Sequence, residues 1–107
     1  MAEAKPRKYE CVFVVRPNLD DDSVDRTVAT VEEFIKNQGA TIMSTDKKGR
    51  RRLAYEVNKM RDGFYVMTRF EGKPAIVAPI TRMMTLSEDI IRFLVVNLEE
   101  AALETSL

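Results

Sequence analysis

KYECVFVV, Lys8 to Val15, is the stretch on which the fold turns. Along an extended chain Tyr9, Cys11, Phe13 and Val15 fall on one side and Glu10, Val12 and Val14 on the other, and both sides are rich in β-branched or aromatic residues. A half-solvated strand alternates to polar residues on its wet face; this one hardly does, so it belongs in the middle of a sheet. The remaining segments are read by how they can flank it.

Arg16-Pro17-Asn18 breaks the strand, and Asp20 then offers an N-cap oxygen with Asp21, Asp22 and Asp25 at the positive end of a helix dipole. Leu19 and Val24 have the spacing of a hydrophobic staple, Val24, Val28, Val31 and Ile35 form an apolar stripe with Phe34 beside it, and Gly39 supplies a left-handed stop. From Ala40 the period returns to two. ATIMST, a basic cluster, and Leu53, Tyr55 and Val57 alternating with Arg52, Ala54 and Glu56 predict one long, bent strand. Asn58 to Gly63 ends in Asp-Gly, a turn signal, and Phe64 to Phe70 reads as the returning strand of a hairpin, with Tyr65, Met67 and Arg69 on one side. Pro74 can open a second helix carrying Ile76, Ile80 and Met83, with Pro79 predicting a kink or a start near Pro79. IIRFLVVNL closes the chain's regular structure as a strand, Ile91, Phe93 and Val95 facing one way and Ile90, Arg92, Leu94 and Val96 the other.

The order is βαββαβ, the split βαβ of ferredoxin-like folds. Right-handed crossovers give an α+β domain with a four-stranded antiparallel sheet in the order 4-1-3-2 and both helices on one face. A chain of 107 residues supports one such domain. It is expected over residues 8–98, between an N-terminal tail (1–7) and a C-terminal tail (99–107).

Histidine is absent and Cys11 is the only cysteine, which removes His/Cys metal clusters, Ser-His and Cys-His catalysis and internal disulfides. The acids of DDDS are accounted for by helix capping; there is no glycine-rich phosphate loop, no looped Arg motif of the acylphosphatase kind, and no Cys-x-x-Cys pair. No enzyme activity, metal, cofactor or small-molecule substrate is expected. No apolar run approaches a membrane span and the N-terminus lacks an apolar signal segment, so an intracellular, membrane-free protein is expected.

Two features remain to be explained. The sheet face away from the helices would carry Val12, Val14, Tyr65, Met67, Leu94 and Val96 beside Glu10, Arg69 and Arg92, which is apolar enough to suggest a covering protein; twist and long Arg stems are the competing shield. The stretch KKGRRRLAYE, Lys47 to Glu56, has five cations in six residues within a chain of zero net charge. Seven cations against Glu56 lie in residues 47 to 61, and six acids against Arg26 in residues 18 to 33, so the molecule is electrically two-sided. Such a cluster suits phosphate contacts, and equally an edge strand kept soluble by charge. Base stacking is disfavoured: Tyr9 belongs to the core face and FYVMTRF has no RNP1-like pattern.

Lys8-Tyr9-Glu10, Arg16-Pro17-Asn18-Leu19-Asp20, Gly49 ahead of Arg51-Arg52-Leu53-Ala54-Tyr55, Lys59, Gly63, and Arg92 before Val95-Val96 together resemble the bacterial small-subunit ribosomal protein S-six family over residues 7 to 98. The resemblance implies a structural protein of the cytoplasmic ribosome, or of an organellar one, that pairs with ribosomal protein S-eighteen and binds the central domain of small-subunit (16S) ribosomal RNA. By position it implies RNA contacts at Arg7, Lys8, Arg50 and Arg92, and partner contacts at Arg51, Arg52, Tyr55 and the apolar face of Val12, Val14, Tyr65, Met67, Leu94 and Val96. Glu56 departs from it, standing where the family commonly has proline. The alternative function is a ferredoxin-like homodimerisation or regulatory module that uses the same open face.

Overall fold

The structure is a computed structural model and describes residues 5–57 and 60–98; the side chains of 54, 56 and 57 and the expected tail residues 1–4 and 99–107 lie outside that description. The elements run β1 (Arg7–Val15), α1 (Asp21–Asn37), β2 (Thr41–Val57), β3 (Met60–Gly72), a 3-10 turn (Pro74–Ile76), α2 (Val77–Leu86) and β4 (Ile90–Asn97). The sheet order β2-β3-β1-β4 is the expected 4-1-3-2 read from the other edge, and all three pairings are antiparallel. β1 is central, as its two apolar faces require. It begins one residue early, with Arg7, assigned to the tail from sequence, opposite Gly72.

Tyr9, Cys11, Phe13 and Val15 from β1 and Val66 and Phe70 from β3 pack under the Val24, Val28, Val31 and Ile35 stripe of α1 and under Ile80 and Met84 of α2. Tyr9 and Phe70 sit opposite each other in the ladder, their rings stacked at 5.6 Å. α1 begins as expected: Asp20 Oδ1 accepts from the Ser23 backbone N–H at 2.8 Å, and Gly39 takes φ +90° just past the last turn. Those contacts satisfy groups that a bare helix end leaves open.

The turn and the last strand depart from the sequence expectation. Asp62-Gly63 is paired strand and not turn: Gly63 pairs with Arg51 and Asp62 with Arg52, and the two strands stay paired out to Val57↔Met60. The glycine is there for space, since a Cβ on residue 63 would lie 2.4 Å from Val14 Cγ1 and 3.0 Å from the carbonyl oxygen of Val15. Of the two readings of Pro79 the nearby start holds: α2 starts at Val77 and leaves the proline in its first turn, where an N–H has no intrahelical partner to lose. Ile90 faces the core, not the open face, because the β1–β4 register shifts between Val14 and Val15 and pairs Val15 with Ile90.

Candidate functional site

The sheet face opposite the helices is an ordered grid. Directly opposed residues of antiparallel strands share a face, so the registers align three rows: Arg69, Glu10 and Val96; Met67, Val12 and Leu94; Tyr65, Val14 and Arg92. The first row is polar, Arg69 Nε and Nη2 each donating to Glu10 Oε1 at 3.4 Å. The middle row is apolar throughout, and Leu94 is 61% exposed. Leucine left in that position on a flat, continuous apolar row marks a surface awaiting cover.

The third row is different. Val14, expected on the open face, is only 3% exposed, and Leu53 on β2 is 6% exposed, yet neither belongs to the core beneath the helices. The outer half of the β2–β3 hairpin lies against Val14, where a Cβ on Gly63 would stand 2.4 Å from Val14 Cγ1. Arg51 lies opposite Gly63 and so continues the open face, and beyond Arg52 the register shifts again before Val57. From there the hairpin doubles back: the Arg92 guanidinium, on the far edge strand β4, lies 4.7 Å from the centroid of the Tyr55 ring. In a flat sheet those edges would stand three strand spacings apart, roughly 14 Å. Three register shifts bend β2, between Ile42 and Ser44, between Lys47 and Gly49, where Gly49 takes φ +84°, and between Arg52 and Val57. The apolar face is therefore a floor with a wall at one end: Met67, Val12 and Leu94 below, Arg51 and Tyr55 on the hairpin above.

The cations of the hairpin divide by side. Lys47 bonds Asp25 of α1, and Lys48 bonds its neighbour Asp46 at 2.6 Å. Arg50 is tied to the helix side, donating to Pro17 O at 3.0 Å, meeting Asp62 at 3.4 Å and lying 4.8 Å over the Phe64 ring. Arg50, Arg51, Arg52, Arg61 and Asp62 line a groove of ≈ 380 Å³ along the hairpin, four guanidinium groups to one carboxylate. Arg61 was counted in the charge cluster by sequence but not singled out; its place in the groove follows from the Arg52↔Asp62 pairing, which the turn reading of Asp62-Gly63 hid.

The four residues expected to touch RNA do not form one patch. Arg7 and Lys8 lie at the start of β1, the end opposite the Val14 row, roughly 20 Å away along the strand. Arg50 faces the helix layer and Arg92 the open face. By contrast the partner residues Arg51, Tyr55, Tyr65, Met67, Val12, Leu94 and Val96 share one surface; Val14 lies beneath it, and Arg52 turns to the other side of β2.

Burial pushes the Cys11 thiol up to about 12, and its Sγ faces Met84 Sδ at 3.7 Å, so it packs as a small apolar group. Among the described residues no cluster of His, Cys, Asp and Glu could hold a metal, and no helix is long and apolar enough to cross a membrane.

The sequence profile of the family described as Ribosomal protein S6 matches residues 8–97. The chain is 41% identical over 96 residues to the small ribosomal subunit protein bS6 of Moorella thermoacetica, covering 90% of this chain and 98% of that one. It is 42% identical over 94 residues to the corresponding protein of Heliobacterium modesticaldum, covering 88% of this chain and 98% of the other. The crystal structure of 30S ribosomal protein S6 from Thermotoga maritima superposes with a TM-score of 0.84 over 96% of this chain and 100% of that one, at 23% identity.

Proposed function

This chain belongs to the ribosomal protein S6 family, and from that premise we propose that it joins a second protein to the central domain of 16S ribosomal RNA within the small ribosomal subunit. The second protein is ribosomal protein S-eighteen. It seats on the Met67, Val12, Leu94 floor against the hairpin wall of Arg51 and Tyr55. RNA phosphates meet the groove at Arg52 and Arg61, with Arg7 and Lys8 serving a separate stretch of backbone. The work is structural: the relatives are ribosomal proteins, not enzymes.

The observation that carries this reading is Leu94, 61% exposed in an unbroken apolar row with a cationic groove on the adjoining hairpin. An apolar floor is stabilised by a protein and a guanidinium groove by phosphate. One surface that offers both fits a joint between the two. Seventeen cations balanced by seventeen acids also limit what the chain can do alone, since few phosphates are neutralised by a molecule with no net charge.

Filter binding to a central-domain RNA fragment, with and without S-eighteen, tests the proposal. Weak binding by the single protein and strong, salt-sensitive binding by the pair is expected. Equal affinity in both cases would reject the joint.

A further inference from the structure

We propose that the Tyr55–Arg92 contact is a clamp that holds the basic hairpin over the open face before any partner arrives, and that Arg92 acts as a positioning residue for the docking surface and not as a phosphate contact. The proposal rests on the docking reading above for its consequence, but its physical basis is in the free protein.

Three observations converge on it. The two residues come from opposite edges of the sheet, β2 and β4, and meet at 4.7 Å with the guanidinium over the ring, so the contact ties the hairpin to the far edge across the open face. Beneath it Val14 sits between Tyr65 and Arg92 in the ladder and is 3% exposed although it lies outside the main core, so the crossing has buried something. Gly63 then gives the clearance: its missing Cβ would meet Val14 Cγ1 at 2.4 Å and Ile91 Cδ1 at 3.6 Å, which brings the start of β3 against both β1 and β4. Sequence, backbone and side chains agree on a hairpin built to lie in this position.

The clamp is also still wet. Tyr55 is 58% exposed and Arg92 is exposed. A cation–π contact is weak at an exposed site and several-fold stronger once desolvated. A partner that covers the wall therefore strengthens the contact that shaped it, and hairpin order and docking reinforce each other. An Arg92 committed to the Tyr55 ring is correspondingly poorly placed to follow a phosphate.

The test has two arms on the full chain. In the first, trypsin cleavage within residues 47–61 of the free protein reports how often the hairpin opens. Tyr55→Leu and Arg92→Gln each leave every hairpin cleavage site in place, and each should speed cleavage about two- to fivefold. The double variant should be no faster than the worse single one, and Tyr55→Phe should behave as wild type. Unchanged cleavage, or additive effects, overturns the clamp.

The second arm measures association with S-eighteen in the absence of RNA, where both variants should bind about tenfold or more weakly. Faster cleavage with unchanged association would overturn the positioning role. Failure of the wild type to bind S-eighteen would take down the docking reading and the positioning role with it, while the protease arm still decides the clamp. A salt slope of RNA binding that falls by about one charge in Arg92→Gln would hand Arg92 back to phosphate and overturn its assignment here.

Discussion

Gly63→Ala puts one methyl group into a close approach between β3 and the central strand. The new Cβ would stand 2.4 Å from Val14 Cγ1 and 3.0 Å from Val15 O, against an ordinary carbon–carbon contact of about 3.5 Å or more. Neither neighbour can give way easily. Val14 is β-branched, buried and flanked in the ladder by Tyr65 and Arg92, and the Val15 oxygen is backbone in the central strand. Overpacking of this kind costs about 1–3 kcal/mol, and the roughly 0.5–1 kcal/mol gained when alanine replaces glycine in a strand offsets part of it. The expected net loss is about 1–2 kcal/mol, a fall in Tm of roughly 4–16 °C for a domain of this size. Urea unfolding followed by far-UV circular dichroism measures it, with an unchanged m-value showing that stability alone has moved. Val14→Ala removes the Cγ1 atom, so the double variant should lose less than the sum of the two. Gly49→Ala is the control: nothing lies within 4 Å of its Cβ and only the φ of +84° is strained, at about 1 kcal/mol. A Gly63→Ala protein within about 0.5 kcal/mol of wild type, as surface sites usually are, would refute the close approach and restore Asp62-Gly63 as a simple exposed turn.

Thr68 carries a fully buried hydroxyl with no partner, so the isosteric Thr68→Val should raise stability by about 1 kcal/mol in the same urea assay; destabilisation would mean the hydroxyl is satisfied. Asp20 is held below the ordinary carboxylate value by its hydrogen bonds to Ser23, the side chain first and then the backbone N–H, with Arg26 adding to them. A folded-state pKa below the unfolded one contributes stability above the ordinary carboxylate range and loses it as pH falls through the lowered value. Unfolding midpoints at neutral pH and in strong acid should therefore show wild type leading Asp20→Asn at neutral pH and the lead closing in acid; a lead that grows in acid would reverse the assignment. Arg50→Gln should lower stability by about 0.5–1 kcal/mol through loss of its stacking on Phe64, whereas Arg51→Gln should leave thermal unfolding unchanged and weaken assembly. Equal behaviour of the two would contradict their placement on opposite sides of β2.

Most of the fold was legible because it is written in local period. Two apolar faces made β1 central, and the Asp20 cap, the Leu19–Val24 spacing and Gly39 bounded α1 where the structure has it. Whatever depended on a contact between distant segments was not. A glycine required because another strand's Val14 passes close looks, in one dimension, the same as a glycine required for a turn, and Asp62 beside it completed the false signal. Ile90 was placed on the wrong face because a bulge shifts register without changing composition. The candidate site divided in the same way. Alternation brought the middle row of Met67, Val12 and Leu94 together correctly and separated Arg51 from Arg50 and Arg52. It took Val14 as exposed because the bend that brings the hairpin against it arises from register shifts in β2, and Tyr55 beside Arg92 is visible only once that bend exists.

Leu94→Glu tests the central claim most directly. The side chain is 61% exposed, so the free protein should fold and unfold as wild type, within the few tenths of a kcal/mol usual for such sites. A carboxylate buried against an apolar partner without a hydrogen bond costs on the order of 2 kcal/mol or more, about 30-fold in affinity. Calorimetric titration of S-eighteen into the two proteins, without RNA, should then show tight association for wild type and loss of at least that factor for the variant. Equal affinity for both would contradict the assignment of the Met67, Val12, Leu94 face as the seat of the partner.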